Sequence, residues 1–167
     1  EQKFTPVNLI TRAGGFNDPQ LLIPEQGALL TSGQSLAVVF KGYADGYQVR
    51  LTGPDRQQHV LETSFDNRGT GRAASEGLMP GPWQVEFVAE GEVLAANRFN
   101  VVEESERPRL PDNLNVEAAL THQVYALWLA QEKPGWRSEA YQMLNRQPGE
   151  VARQLAWMLE QKIEKAD

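Results

Sequence analysis

The sequence predicts a mainly β protein with an α-helical appendage. Residues 1–103 predict an antiparallel β-sandwich, because short runs of alternating apolar residues are separated by Gly, Pro, Asn and Asp. A charged, proline-bearing stretch at 104–112 predicts a linker, and from 113 to 167 the apolar spacing becomes helical. We therefore expect a sandwich followed by three helices that pack on it or on a partner.

The clearest β signal lies in residues 78–102. Trp83, Val85 and Phe87 alternate along one strand, a tight turn follows at 90–92, and a second apolar strand completes a hairpin. The pattern P-G-x-W-x-V-x-F, turn and second strand resembles the last hairpin of immunoglobulin-like and fibronectin-like β-sandwiches, without the cysteine pair of antibody domains. The resemblance implies a corner position for Trp83. The residues expected to face inward are Leu36, Val38, Phe40, Val49, Leu51, Trp83, Val85 and Phe87.

The chain before this hairpin predicts an edge region and then a central strand. Residues 1–34 are rich in Gly and Pro, which leaves room only for short strands at 7–11 and 20–23. Residues 35–41 carry apolar side chains on both faces of a strand, a pattern typical of a central position.

Two later segments leave their geometry open. The Asp-Gly pair within 42–46 is typical of a hairpin turn, but in an immunoglobulin-like sandwich this connection crosses between sheets, and we favour the crossing. Residues 47–51 and 59–65 predict a hairpin around a turn at 53–56. Residues 66–77 are rich in glycine, which indicates a mobile loop or a poorly buried edge segment.

Three helices are predicted beyond the linker. The first begins near Asn115 as N-cap, the second covers 137–145, and Pro148 opens the third. Because three such helices bury little alone, we expect them to dock on the sandwich as one cooperative unit, with a homodimer as the alternative. The stripes expected to be buried are Val116, Leu120, Val124, Leu127 and Trp128 on the first helix, and Val151, Leu155, Met158, Leu159 and Lys162 or Ile163 on the third.

Composition and charge bear on possible partners and on the cellular location of the protein. The formal net charge is -6, and the 16 Lys and Arg residues are scattered, so no nucleic acid partner is expected. The longest aliphatic or aromatic run, 36–40, is too short to cross a bilayer, so no membrane-spanning segment is predicted. The lack of cysteine fits either redox compartment, and the start at Glu1 without an initiator Met is compatible with removal of a targeting segment; of the two compartments, we expect the periplasm of a bacterium.

No catalytic, cofactor or metal site is predicted. His59 and His122 stand outside any recognisable catalytic motif, so each is expected to be an ordinary surface or half-buried residue. The G-x-G-x-x-A match at 69–74 lacks the strand before it and the helix after it that phosphate binding requires. Four loop aspartates are too scattered for a calcium site: Asp18, Asp45, Asp55 and Asp66.

Aromatic residues are the candidates for interaction. Trp128, Trp136 and Trp157 are expected to fill the helical core, but Trp136 lies in a turn, where it would be partly exposed or would join one helix to the next. Tyr43 and Tyr47 flank a loop at one end of the sandwich, a frequent place for contacts. The predicted interaction residues are thus Tyr43, Tyr47 and Trp136.

Two functional hypotheses follow. The first is a non-catalytic protein-protein interaction or scaffold protein, not an enzyme, that binds an unidentified protein partner through loops or the helical face. The alternative is a carbohydrate- or cell-wall-binding module in which Tyr43, Tyr47 or Trp136 stacks on sugar rings. An enzyme would have to assemble carboxylates from separate loops.

Overall fold

The computed structural model describes residues 18–113 and 116–166. The predicted strand at 7–11 and the predicted N-cap Asn115 lie outside these residues. Within the described part, the strands are β1 (Gln20–Ile23), β2 (Ala28–Thr31), β3 (Leu36–Lys41), β4 (Gln48–Thr52), β5 (Gln58–Leu61), β6 (Thr63–Phe65), β7 (Thr70–Ser75), β8 (Gly81–Ala89) and β9 (Glu92–Val102). The helices are α1 (Thr121–Glu132), α2 (Arg137–Arg146) and α3 (Glu150–Ala166), with short 3₁₀ turns at Glu104–Glu106, Ala118–Leu120 and Pro134–Trp136.

The strands form two sheets packed face to face. One sheet has the order β1-β3-β7-β6, and the other has the order β2-β9-β8-β4-β5. Every strand pair is antiparallel except β9 with β2, which is parallel. The predicted fold class, a β-sandwich followed by a three-helix C-terminal segment, is confirmed.

The inter-sheet core is apolar, and it contains all eight residues predicted to face inward. Trp83 closes one corner: a Cβ atom on Gly53 would lie 2.7 Å from its ring, and its indole N–H donates to the carbonyl of Met79 at 2.9 Å. The hairpin is also confirmed, since β8 and β9 pair across a turn at Glu90 and Gly91 with positive φ angles of 51° and 77°. A β-branched residue would be strained at either position.

The segment 42–46 crosses between sheets, as the sandwich pattern predicts. It joins β3, in the four-stranded sheet, to β4, in the five-stranded sheet. Gly42 opens the crossing with φ 96°, and a Cβ atom there would lie 2.6 Å from the Cα atom of Pro19. Glycine is therefore required by both conformation and space.

The predicted hairpin of 47–51 with 59–65 is confirmed only for its first half. Strand β5 pairs with β4, but β6 leaves that sheet and pairs with β7 in the other.

The prediction for residues 66–77 is wrong. Strand β7 lies inside the four-stranded sheet, between β3 and β6, and Thr70 and Ala73 are buried. A Cβ atom at Gly71 would lie 2.2 Å from the ring of Phe40, so the small residues make room for a large neighbour. The lack of large apolar residues thus reflects close packing within this segment.

The helices cover the outer face of the four-stranded sheet. Leu22, Ile23 and Val39 point away from the inter-sheet core and pack with α1, α2 and α3 in a second core. Strand β3 is therefore covered on both faces, which explains its unbroken run of apolar residues.

No helix in the described part is both long and apolar enough to cross a membrane.

Three polar residues of α2 bind backbone groups at the edges of the sheets. Ser138 accepts the N–H of residue 25 at 3.0 Å, and Glu139 accepts the N–H of Thr31 at 3.1 Å and its hydroxyl at 2.8 Å. Gln142 forms a pair of 2.8 Å bonds with the N–H and carbonyl of Ala37, beyond the point where β1 stops pairing with β3. The helix thus continues the hydrogen bonding of the sheets where strands end.

The linker is attached to this layer by Arg107. Its guanidinium donates to Glu139 at 2.8 Å and to the hydroxyl of Tyr125 at 3.1 Å. The Tyr125 hydroxyl in turn donates to the carbonyl of Pro108. The segment after β9 therefore runs against the helices and is held by a buried carboxylate.

Parts of the apolar stripes predicted to be buried on α1 and α3 are exposed. Leu120, Leu127, Val151 and Met158 are exposed. Alanines of both helices face inward, because a small side chain lets two backbones approach closely. A pattern of large apolar residues alone does not predict this packing. The buried residues are Ala126 and Leu129 on α1, and Ala152, Ala156, Leu159, Glu160 and Ile163 on α3.

Candidate functional site

The first candidate surface is the sandwich-end aromatic cluster, formed by Tyr43, Tyr47 and Phe65. Tyr47 is held from two sides: its ring stacks on Phe87 with centroids 5.1 Å apart, and its hydroxyl lies 2.6 Å from that of Thr63. Tyr43 is 53% exposed and meets Tyr47 edge-on, with ring centroids 5.6 Å apart. The two predicted tyrosines are thus together, with Tyr43 as the surface and Tyr47 as its support.

Trp136 lies elsewhere. It ends the 3₁₀ turn Pro134–Trp136 between α1 and α2 and is only 8% exposed, within the core between helices and sheet. The expectation of partial exposure is therefore wrong, and the other possibility, a residue that joins one helix to the next, describes its position. The turn packs against β2, which directs the indole inward.

A larger concave surface lies between α3, the end of α2 and the turn from β6 to β7. This surface, the α3 groove, encloses about 750 Å³. A second hollow of about 380 Å³ continues from it along β6 and β7 and shares Arg72, Tyr141 and Asn145. The residues of the α3 groove used below are Arg68, Arg72, Tyr141, Arg153, Trp157, Met158 and Glu160.

The floor of the α3 groove is a closed ionic network. The guanidinium of Arg72 holds both oxygens of Glu160, at 2.8 and 3.1 Å, and Tyr141 donates its hydroxyl proton to Glu160 at 2.6 Å. Asp66 approaches Arg72 from the other side at 3.2 Å. These bonds anchor α3 to β7 and leave the floor with a fixed shape.

Three groups of this network, Arg72, Tyr141 and Asp66, have a pKa shifted so that each keeps its present charge state. Burial lowers the pKa of Arg72, but the hydrogen bond and charge of Glu160 outweigh it and raise the net pKa. Burial, followed by the charge of Glu160, raises the pKa of Tyr141. Burial raises the pKa of Asp66, but hydrogen bonds from the N–H groups of Thr70 and Arg68 outweigh it and lower the net pKa. These three groups therefore keep their charge states near neutral pH.

The rim of the α3 groove is aromatic and apolar. The guanidinium of Arg68 lies over the ring of Trp157, 4.9 Å from its centroid. Trp157 is 41% exposed and Met158 is 58% exposed. Since both sit on one helix whose other face is buried, they are presented on a rigid support.

The sequence prediction missed this groove. The sequence predicts Trp157 in the helical core, and it predicts Arg68 and Arg72 in a mobile loop or a poorly buried edge segment. The spacing of Met158 from Val151 and Leu155 was visible, but α3 also has an alanine-bearing face, and spacing alone does not show which face is covered.

The two histidines line neither the α3 groove nor the sandwich-end aromatic cluster. His59 on β5 and His122 on α1 are both exposed and lie on different elements. Across residues 18–113 and 116–166, no three His, Asp or Glu side chains are placed so that they could hold a metal ion. The segment 69–74 enters the antiparallel strand β7, a context that differs from the parallel strand and helix of a dinucleotide site.

The strand order defines the class of protein. The sheet β1-β3-β7-β6 and the sheet containing β9-β8-β4 correspond to the A-B-E-D and G-F-C sheets of the immunoglobulin fold, with β5 and β2 added at the edges of the second. The sandwich is therefore immunoglobulin-like, as the resemblance of the last hairpin implies.

Comparison with known proteins assigns no more specific family. No family model matches the chain, and no curated protein sequence matches it. Among solved structures, the Lin-41 filamin domain is similar at 6% identity and a TM-score of 0.43, covering 52% of this chain and 93% of that one. The M1 domain of titin is similar at 15% identity and a TM-score of 0.33, covering 50% of this chain and 92% of that one. A structure of the titin M10–obscurin-like 1 Ig complex is similar at 15% identity and a TM-score of 0.34, covering 51% of this chain and 92% of that one.

Proposed function

We propose that this protein is a non-catalytic interaction module that binds a protein partner through the α3 groove, as a receptor or scaffold component. The observation that supports this most directly is the rim of that groove, where Trp157 and Met158 are exposed side by side above a saturated ionic floor. Large exposed side chains on rigid supports are the usual anchors of protein interfaces.

The rigidity of the groove favours binding. Glu160 is almost fully buried and accepts bonds from both Arg72 and Tyr141, so α3 is held in place before a partner arrives. A preformed surface loses little conformational entropy on association. The outer face of the five-stranded sheet offers a contrast, since it carries polar residues such as Gln48, Arg50 and Glu86.

Export to the periplasm belongs to the same proposal. It is supported by the absence of cysteine from the whole sequence, a composition compatible with an oxidising compartment. Fractionation of the native host should find the protein with periplasmic markers. Recovery with cytosolic markers would contradict this part alone.

Site-directed photocrosslinking tests the binding proposal. A photoreactive amino acid replaces Trp157 in one variant and Arg50, on the opposite sheet, in the control variant. In the native host, the first should form adducts with a defined protein and the second should not. Equal adducts at both positions, or none at position 157, would contradict the proposal.

Carbohydrate binding is the second candidate, and the exposure of Tyr43 is the observation that favours it. Its ring stands at the sandwich end with Tyr47 and Phe65 behind it, an arrangement able to stack on a sugar ring. Trp136 is buried and cannot serve in this way. Retention on immobilised cell-wall polysaccharide that is lost in Tyr43→Ala and kept in Trp157→Ala would favour this candidate.

A further inference from the structure

We propose that the α3 groove selects an extended, acidic segment of a partner protein, with a carboxylate on Arg68 and a neighbouring apolar side chain on Trp157 and Met158. This inference rests on the proposed function and specifies the chemistry of the partner.

The charge argument comes from the three arginines of the groove. Arg72 is held by Glu160 and Asp66, and Arg153 is held by Glu150 at 2.6 Å. Arg68 is exposed, and no carboxylate pairs with its side chain among the residues that the structure describes. One positive charge at the rim therefore lacks a counter-charge from this part of the chain.

The position of Arg68 suits a carboxylate ligand. Its backbone N–H donates to Asp66 at 2.8 Å, which fixes the turn that carries it. Its guanidinium lies over the ring of Trp157, and a guanidinium stacked on an aromatic ring keeps the N–H donors at its edge available. A carboxylate can therefore bind Arg68 in two-point geometry while the stacking contact is retained.

The apolar part of the ligand follows from the same geometry. Trp157 and Met158 are consecutive on α3, both are exposed, and both line the α3 groove together with Arg68. A carboxylate on Arg68 places the next side chains of a bound segment within reach of this apolar surface. Methionine adapts its shape to a range of apolar partners, which suits a peptide site.

The extended form of the ligand follows from the second hollow. It continues past Arg72 and Asn145 to β6, whose residues Thr63 and Ser64 line it. Among the described strands, β6 pairs only with β7, so its other edge has backbone groups open to a ligand. An extended peptide can bind such an edge through its own backbone, as in β-strand addition.

Selection from random decapeptides displayed on phage tests the inference with the intact chain. Selected peptides should be enriched in Asp or Glu next to Leu, Met or Phe. Arg68→Gln should weaken binding of a selected synthetic peptide about three- to tenfold, the range for one partly screened charge pair. The matched control, Arg50→Gln, removes the same charge from the opposite sheet and should change affinity less than twofold.

Two further measurements locate the site and check folding. The indole N–H signal of Trp157, assigned with Trp157→Phe, should shift during titration with the peptide, whereas that of buried Trp83 should not. Thermal unfolding of Arg68→Gln should match the parent chain. Basic or uncharged selected peptides, no selected peptides, or equal effects of the two Gln variants would overturn the inference.

These outcomes are distinguishable from failure of the proposed function. Protein adducts at position 157, together with selected peptides that are not enriched in Asp or Glu, would support the proposed interaction module and contradict the acidic ligand. Adducts between two copies of this chain would overturn it as well, since the occupant would then be a second copy.

Discussion

The two buried layers of this molecule are built from different chemistry. The core between the sheets consists of apolar residues from every described strand except β6, together with residues of their connections. The layer between the helices and the four-stranded sheet has an apolar core too, but four buried polar residues belong to it: Ser138, Glu139, Gln142 and Glu160.

The difference has a structural cause. Inside the sandwich, the strands satisfy their own backbone groups and meet through side chains alone. Helix α2 instead lies over places where pairing stops, so its polar side chains bind Thr31 and Ala37. A helix that covers sheet edges must supply donors and acceptors, whereas one that covers only a sheet face need not.

Removal of the whole helical layer should have the largest effect. A chain ending at Glu104 would expose Leu22, Ile23 and Val39, at a cost of about 5 to 9 kcal/mol for three large apolar side chains. Calorimetry should show one transition for the intact chain and a strongly destabilised or unfolded truncated chain. Rapid proteolysis within 103–111 with two separate transitions would contradict a single cooperative unit.

Trp83→Ala tests the inter-sheet core. Truncation of this buried corner residue should cost about 3 to 5 kcal/mol, measured by chemical denaturation. Val60→Ala, at an exposed position of β5, should change stability by less than about 0.5 kcal/mol. A loss below about 1 kcal/mol for Trp83→Ala would show that the corner is not a core position.

Glu139→Ala tests the polar character of the helix–sheet layer. It removes the buried carboxylate that accepts from the guanidinium of Arg107 and from the N–H of Thr31, which should cost about 2 to 4 kcal/mol. Glu150→Ala is the matched control, because its partner Arg153 is exposed, and it should cost less than about 1 kcal/mol.

A double-mutant cycle sharpens this test. Adding Arg107→Ala to Glu139→Ala should restore part of the lost stability, since the guanidinium that lost its buried carboxylate is then removed as well. Strict additivity of the two losses would show that the pair is not coupled.

Gly71→Ala tests the close approach of β7 to Phe40. A new Cβ atom 2.2 Å from the ring forces a shift of the strand or the ring, at about 1 to 3 kcal/mol. Gly135→Ala is the control, because its nearest contact, with Leu29, would be 3.8 Å away. Equal urea denaturation midpoints for the two variants would contradict the close packing of β7.

Acid should lower the stability of the chain through Asp66 in the Arg72 network, and this is the smallest of the five expected effects. The folded pKa of Asp66 is lowered, so its contribution is present above its unfolded pKa and is lost as pH falls through the folded value. Asp66→Asn should therefore lower stability by up to about 1 kcal/mol at pH 7, and the difference from the parent chain should shrink near pH 3.

The control for this effect is Asp55→Asn. Asp55 also accepts a backbone N–H, from Gln57 at 3.0 Å, but none of the described ion pairs contains it. Urea denaturation at both pH values should show a smaller change than for Asp66→Asn. Equal changes would place the acid sensitivity outside the Arg72 network.

The sandwich could be predicted because its signals are local. One short stretch contains both the alternation of Trp83, Val85 and Phe87 and the turn after them. Each of these patterns depends only on residues that are close in sequence. Strand β7 could not be predicted, since its small residues have meaning only beside Phe40, a residue distant in the chain.

The candidate site was harder to predict for the same reason. Tyr43 and Tyr47 are neighbours in sequence, so their proximity was accessible, whereas Arg68 and Trp157 meet only after α3 has docked. The exposure of Trp136 was misjudged because the turn that carries it packs on β2, which no feature of the turn itself reveals.

The covering of β3 on both faces has a consequence for biosynthesis. Val39 and Leu22 are translated before the helices that cover them, the first of which begins at Thr121, about 80 residues after Val39, and translation adds roughly 5 to 20 residues per second. For several seconds the nascent sandwich therefore exposes the apolar outer face of its four-stranded sheet. During that interval the ribosome-bound chain offers chaperones a binding surface that the finished molecule no longer has.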